Sequence, residues 1–291
     1  MRAGGIVETT REWYRENQRD LPWRQAGTTA WGVLVCEVMS QQTPVERVAP
    51  IWREWMQRWP MPSDLAESSA ADVIRAWDRL GYPRRALRLR DAAIAIRDDH
   101  NDQVPAAYEQ LVALPGIGDY TASAVLAFAY GKRAIVLDTN VRRVLSRVIE
   151  GQEFPSQSAP TKAERLLADR LAPTTAKAAS HWAIACMELG AVVCKARTPE
   201  CSVCPLVSQC AWRAAGSPTT STPRTVQQFT GTDRQVRGKI MAVLRKAHEP
   251  VHSIDLRDCW PDRQQLDRCI GSLLDDGLIT LVADEKFSLP V

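Results

Sequence analysis

No apolar run in this 291-residue chain is long enough to cross a bilayer. Met1 to Trp13 carries charges where a secretory signal needs a hydrophobic core. These two absences argue against export and membrane insertion and lead us to expect a cytoplasmic protein. A strong charge bias is missing as well. The formal net charge is only +3, so any footprint for nucleic acid has to be local. Strand-like alternation is absent before the C-terminal tail, there is no internal repeat, and Pro and Gly are scattered rather than clustered. What remains is 45% apolar residues, in the range of a globular chain, and a length that allows two domains or one large one.

The stretch around which the chain is organised is Leu114-Pro115-Gly116-Ile117-Gly118. It stands directly before a run with Val125, Leu126 and Ala129 at helical spacing. Glycine permits a tight turn and close approach to a ligand, and the free N–H groups at a helix start favour an anion such as a DNA phosphate. An ordinary helix–turn–helix packing loop fits these residues equally well. Beyond it lies Val136-Leu137-Asp138-Thr139-Asn140-Val141, with a helix expected over 139–149. On its own, Asp138 reads as the N-cap of that helix.

The remaining helical spacing covers 8–19, 45–59, 64–79, 84–98, 106–113, 160–173 and 179–193, with a stop at Leu21-Pro22-Trp23-Arg24. In the run from Trp31, the residues Val33, Leu34, Glu37, Val38 and Gln41 fall on one helix face. A carboxylate there is unusual, because an unpaired charge is costly out of water. A rim position with a salt bridge is the plainer reading.

Eight cysteines in a chain of this type argue for a metal, a cluster or buried thiols rather than a disulfide scaffold. Cys194, Cys201, Cys204 and Cys210 form a C-x6-C-x2-C-x5-C string within seventeen residues. Zinc modules usually bring two close pairs, whereas a single close pair flanked by lone cysteines suits the corners of a [4Fe–4S] cube. Zinc remains the alternative. Cys36, Cys186, Cys259 and Cys269 lack such spacing and read as buried thiols. Lys195 and Arg197, between the first two cysteines, are placed either to meet a phosphate backbone or to be solvated.

Together, the hairpin Leu114 to Gly118, Asp138 and the four-cysteine string resemble the helix–hairpin–helix DNA glycosylase superfamily, over roughly residues 8–213. Within it, Glu37-Val38-Met39-Ser40-Gln41-Gln42-Thr43, Leu21-Pro22-Trp23-Arg24 and Leu80-Gly81-Tyr82 resemble the MutY-type adenine DNA glycosylases, which remove adenine mispaired with 8-oxoguanine. The resemblance implies a mainly α, two-module fold: a barrel module of about 24–133, and a cluster module formed by 1–23 and 134–215 with a [4Fe–4S] loop. It implies Glu37 as the acid protonating adenine and Asp138 as the carboxylate stabilising an oxocarbenium-like sugar, with Asn140 and Tyr120 supporting it. Apolar neighbours would raise the pKa of Glu37. It further implies Gln42 and Tyr82 as duplex wedges, Leu114, Gly116 and Gly118 as phosphate contacts, Lys195 and Arg197 as DNA contacts, and Trp23 and Arg24 at the base pocket. The cluster would be held by Cys194, Cys201, Cys204 and Cys210. Bifunctional relatives carry a lysine where Tyr120 stands, and Tyr120 cannot form a Schiff base. A monofunctional, monomeric, nucleoid-associated enzyme acting on double-stranded DNA with A·8-oxoG or A·G is therefore expected.

The chain departs from the pattern at Asp119, where relatives often have a basic residue or proline, and at Ala183-Ile184, near the adenine pocket. Residues 216–231 read as a linker. Residues 232–291 are too short for the Nudix-like domain of many relatives. Val236, Ile240, Val243 and Leu244 mark one helix, Leu266, Ile270, Leu273 and Leu274 another, and Leu278 to Leu289 a hairpin, resembling a winged-helix module. Two other functions stay open: a thymine or uracil mismatch glycosylase, and a non-catalytic DNA-binding iron–sulfur protein.

Overall fold

The computed structural model describes residues 3–219, 229–283 and 285–291. The expected linker over 216–231 therefore lies largely outside the described residues. The protein is mainly helical, with one small sheet near its C-terminus. No described helix is long and apolar enough to cross a membrane.

The helices in order are α1 (Ala3–Asn17), α2 (Ala30–Ser40), α3 (Val45–Arg58), α4 (Pro62–Glu67), α5 (Ala70–Trp77), α6 (Arg84–Asp99), α7 (Tyr108–Ala113), α8 (Asp119–Phe128), α9 (Thr139–Leu145), α10 (Lys162–Leu171), α11 (Ala176–Val192) and the short α12 (Ala211–Ala214). The single helix expected over 64–79 is two, because Ser69 starts a new one by accepting the Asp72 N–H at 3.1 Å. The helix expected over 139–149 ends at Leu145 and continues as a wider turn over Ser146–Glu150, which Gly151 closes at φ 70°. Helix α8 is not amphipathic: Thr121 through Ala127 are all buried. A helix buried all round needs small residues, and the run of Ala and Ser here supplies them.

The chain divides into two units. One comprises residues 1–34, 106–112 and 118–223; the other comprises 35–105, 113–117 and 224–291. The core of the first gathers Ile6, Val141, Val144, Val148, Trp182 and Leu189, with the cysteine string packed against it. In the second, Trp55 stands edge-on to Trp59 and Trp77, with ring centroids 4.8 and 5.5 Å away.

The C-terminal segment groups with the second unit rather than standing alone. It runs α13 (Asp233–Lys246), β1 (Val251–His252), α14 (Ser253–Leu256), α15 (Arg263–Asp275), β2 (Thr280–Ala283) and β3 (Lys286–Ser288). The antiparallel sheet has the order β1-β3-β2. This helix–strand–helix–helix–hairpin succession matches the winged-helix expectation. Its apolar core (Val236, Ile240, Leu244, Leu266, Leu273) is shared with Ile74 of α5 and Leu87 of α6, which explains the grouping.

Candidate active site

In the first unit, Asp138 is the N-cap of α9, in extended backbone (φ −83°, ψ 178°). Its carboxylate accepts the Val141 N–H at 2.7 Å and the Asn140 side-chain amide at 2.6 Å. The capping reading of Asp138 therefore holds. Asn140 cannot turn over, because its Oδ1 already accepts from Arg143 Nη2 at 2.8 Å. Arg143 in turn donates to the Gly190 carbonyl at 2.7 Å and, through Nε, to the Cys194 carbonyl at 2.7 Å. Burial pushes the Asp138 carboxyl above its ordinary value, against the Val141 and Asn140 hydrogen bonds and the Arg143 charge, which pull it down.

Gly190 of α11 is where that helix meets this turn. A Cβ there would stand 2.7 Å from Asn140 Cβ and 2.8 Å from its carbonyl oxygen. Tyr120, on α8, places its hydroxyl 3.8 Å from Met187 Sδ and packs with Ala124, Val136 and Ala183. Arg24 binds Glu188 at 2.8 Å and lies 5.6 Å over the Tyr14 ring, with Trp23 half-exposed beside it in the sequence. Glu188 is fully buried and also holds Arg19 at 2.8 Å. Burial alone would raise its pKa, but the Arg19 and Arg24 hydrogen bonds prevail and hold it at about 2.

The four cysteines Cys194, Cys201, Cys204 and Cys210 line one cavity, with Val144, Arg147, Leu189 and Trp212. None of the four is in a disulfide. Burial pushes Cys204 up to about 11, with the facing thiols of Cys194, Cys210 and Cys201 adding to the rise. Among the described residues no group of three or more His, Cys, Asp or Glu side chains is set to hold a metal ion. Arg147 is 1% exposed and puts Nη1 3.5 Å from Cys194 Sγ. It is bonded to the carbonyls of Glu153, Lys195 and Ala196 and lies 4.8 Å from the Trp212 ring, with no carboxylate in ion-pair reach among the described residues. Lys195 pairs with Glu200, whereas Arg197 is exposed. Asp119, the acidic departure after the hairpin, is engaged by Arg165 and by the Tyr108 hydroxyl at 2.8 Å.

In the second unit, Glu37 is 8% exposed, so the rim position does not hold. Leu114 is buried, and the Ile117 N–H closes the hairpin turn on its carbonyl at 3.1 Å. Gly116 has φ +76°, and a Cβ on it would stand 2.8 Å from Arg88 Cβ. Gly118 is extended with open space where a Cβ would be, so only the first glycine is required by backbone geometry. Gln42 (φ 54°) and Tyr82 (φ 48°) are exposed side chains on left-handed backbone, a conformation costing about 1–3 kcal/mol per residue. Arg85 stabilises both turns at once. It donates to the carbonyls of Val38 and Gly81 at 3.0 Å each, to that of Gln41, and to the Thr43 hydroxyl at 3.2 Å.

Arg85, Arg143, Arg147, Glu188 and Gly190 were not singled out by sequence reasoning. One signal was available: Arg143 and Arg147 stand four residues apart among Val141, Val144, Leu145 and Val148, which puts two cations on one helix face.

Residues 35–173 match the family described as HhH-GPD superfamily base excision DNA repair protein. Over 281 residues the chain is 51% identical to an adenine DNA glycosylase of Mycobacterium tuberculosis, covering 96% of this chain and 91% of that one. It is 36% identical to a thymine/uracil-DNA glycosylase of Pyrobaculum aerophilum over 68% of this chain and 86% of that one. Among solved structures, a thermostable thymine-DNA glycosylase superposes with a TM-score of 0.67 at 25% identity, covering 73% of this chain and 97% of that one.

Proposed function

Since the chain belongs to the adenine DNA glycosylase family of the helix–hairpin–helix base-excision repair proteins, we propose that it hydrolyses the N-glycosidic bond of adenine mispaired with 8-oxoguanine or guanine and leaves an abasic site. The observation that carries the chemistry is the Asp138 carboxylate fixed by the Val141 N–H and the Asn140 amide. Loss of a purine leaves positive charge on the sugar, and a prepositioned carboxylate stabilises it without reorganising. Arg143 locks the Asn140 amide and so fixes the carboxylate's orientation. Glu37, taken out of water on α2, is the acid that protonates the departing adenine and then positions water. The reaction needs both groups at one extruded nucleotide, since a stacked adenine is out of reach. Gln42 and Tyr82 fill the gap in the duplex, and the hairpin's backbone N–H groups hold a phosphate. Tyr120 provides no amine, so the strand is not cut.

Cys194, Cys201, Cys204 and Cys210 fit a [4Fe–4S] cluster. Four thiols line one cavity, and the string has a single close pair flanked by lone cysteines, which suits the corners of a cube better than the two close pairs usual for zinc. The buried cation Arg147 suits an anionic group there. When bound, the cluster would serve as a structural staple for the 194–210 loop, whose Cys194 carbonyl receives Arg143.

The resemblance to the Pyrobaculum enzyme keeps one second reading, a thymine or uracil mismatch activity. Base release from A·8-oxoG, A·G, T·G and U·G duplexes separates the two. Adenine release is expected, and release of thymine or uracil in its place would overturn the assignment.

A further inference from the structure

The C-terminal module brings one cation against Tyr82, the side chain assigned above to the gap in the duplex. Arg234, in the first turn of α13, lies 5.1 Å over the Tyr82 ring and 5.7 Å from the Phe229 ring. Tyr82 is 46% exposed and Phe229 54%, so the three form an open aromatic–guanidinium–aromatic row. Among the described residues Arg234 has no carboxylate within ion-pair distance. Its neighbour Asp233 is taken by Arg268 at 2.8 Å. A cation in the first turn also opposes the helix dipole, so helix stability does not account for it.

The row is held firmly. Arg75, before the Tyr82 turn, donates to the Ala247 carbonyl at 3.2 Å, and Arg84, after it, binds Asp276 at 3.0 Å. Arg237 grips the same Asp276. The module is thus fastened to both flanks of the turn, and Ile74 and Leu87 belong to its core.

We propose that Arg234 reads the base opposite the extruded adenine, donating a hydrogen bond to the C8 oxygen of 8-oxoguanine while Tyr82 stands in the duplex. The inference rests on the adenine glycosylase reading. The chemistry is selective. Guanine offers O6 and N7 as major-groove acceptors. The oxidised base keeps O6, gains an acceptor at C8 and turns N7 into a donor. A guanidinium only donates, so it loses the O6/N7 pair it could grip in guanine and finds at C8 an acceptor that guanine lacks. Lying within cation–π range of two rings, the guanidinium is held near Tyr82 before DNA arrives, which limits the ordering cost on binding. In this chain the short winged-helix-like module thereby supplies a contact to the oxidised purine.

The test uses the full chain and its Arg234→Ala and Arg234→Lys variants. Affinity is measured for duplexes carrying non-hydrolysable 2′-fluoro-deoxyadenosine opposite 8-oxoguanine or guanine, over a range of salt. Single-turnover adenine release is followed on the matching cleavable duplexes. Arg234→Ala is expected to cut the preference for 8-oxoguanine over guanine by roughly tenfold, the scale of one good base-edge contact, entirely through the 8-oxoguanine arm. Lysine is expected not to restore it, because it lacks the planar fork. Equal losses on both duplexes with a shallower salt slope, restored by lysine, would make Arg234 a phosphate contact and overturn the proposal. No change in either arm would overturn it too. If the unmodified protein released no adenine at all, the glycosylase reading would fall, while the two binding arms would still report on Arg234.

Discussion

Asn140 stands between Asp138 and Arg143, giving its amide to one at 2.6 Å and taking the guanidinium of the other at 2.8 Å. The same arginine reaches the carbonyl of Cys194, so the cysteine loop and the Asp138 carboxylate are joined by three side chains and one backbone group. The relation is directional. Each amide end has one acceptable partner, and reversing the amide would set donor against donor.

Removing the amide has a defined effect on pH dependence. The Asn140 hydrogen bond lowers an Asp138 pKa that burial raises. In Asn140→Ala that pull is lost, the pKa rises further, and less of the carboxylate is ionised at any given acid pH. The acid limb of the single-turnover pH–rate profile is expected to move to higher pH, with a plateau about 10–100-fold lower. An unmoved limb would show that Asn140 does not act through Asp138.

Gly190→Ala tests the contact from the other side. The new methyl would stand 2.7–2.9 Å from the Asn140 Cβ, carbonyl carbon and oxygen, and two of these are backbone atoms. Relief has to come from moving α11 or the Asp138–Asn140 turn, at about 1–3 kcal/mol. A lower melting temperature and a reduced kcat with nearly unchanged duplex affinity are expected.

Glu188 governs acid stability. Its folded pKa of about 2 lies below the ordinary 4.5, so between those values the folded protein binds fewer protons than the unfolded chain. Its contribution, on the order of 3 kcal/mol, is complete above about pH 4.5 and lost as pH falls toward 2. Denaturant unfolding of Glu188→Gln against the unmodified protein is expected to show its largest gap near neutral pH, narrowing across that window.

For the cysteine cavity, protein purified without oxygen is expected to carry iron and acid-labile sulfide in equal amounts and to be brown. Cys204→Ser is expected to lose the colour and lower the melting temperature. Stoichiometric zinc without sulfide would replace the cluster with a mononuclear site.

Much of this was legible in the chain because it rests on local rules. The cysteine spacing, the Asp138 cap and the apolar periods of α13 and α15 each lie within a few turns. What was hidden depends on pairs far apart in sequence. Arg24 meets Glu188 across 164 residues, and Arg85 joins the end of α2 to the Tyr82 turn across about forty. Helix α8 is legible as a helix but not as one buried all round, because an Ala-rich run has little contrast between faces and its full burial leaves no periodic trace. Ser68-Ser69 was passed over as a break because the apolar spacing continues on either side of it.

The central claim is that Glu37 and Asp138 serve one adenine. It is tested most directly by single-turnover adenine release from an A·8-oxoG duplex by the unmodified protein, Glu37→Gln and Asp138→Asn, with duplex binding checked for each. We expect release by the unmodified protein and a loss of about 1,000-fold or more in either variant, with binding retained. Release within tenfold of the unmodified protein by either variant would contradict the account.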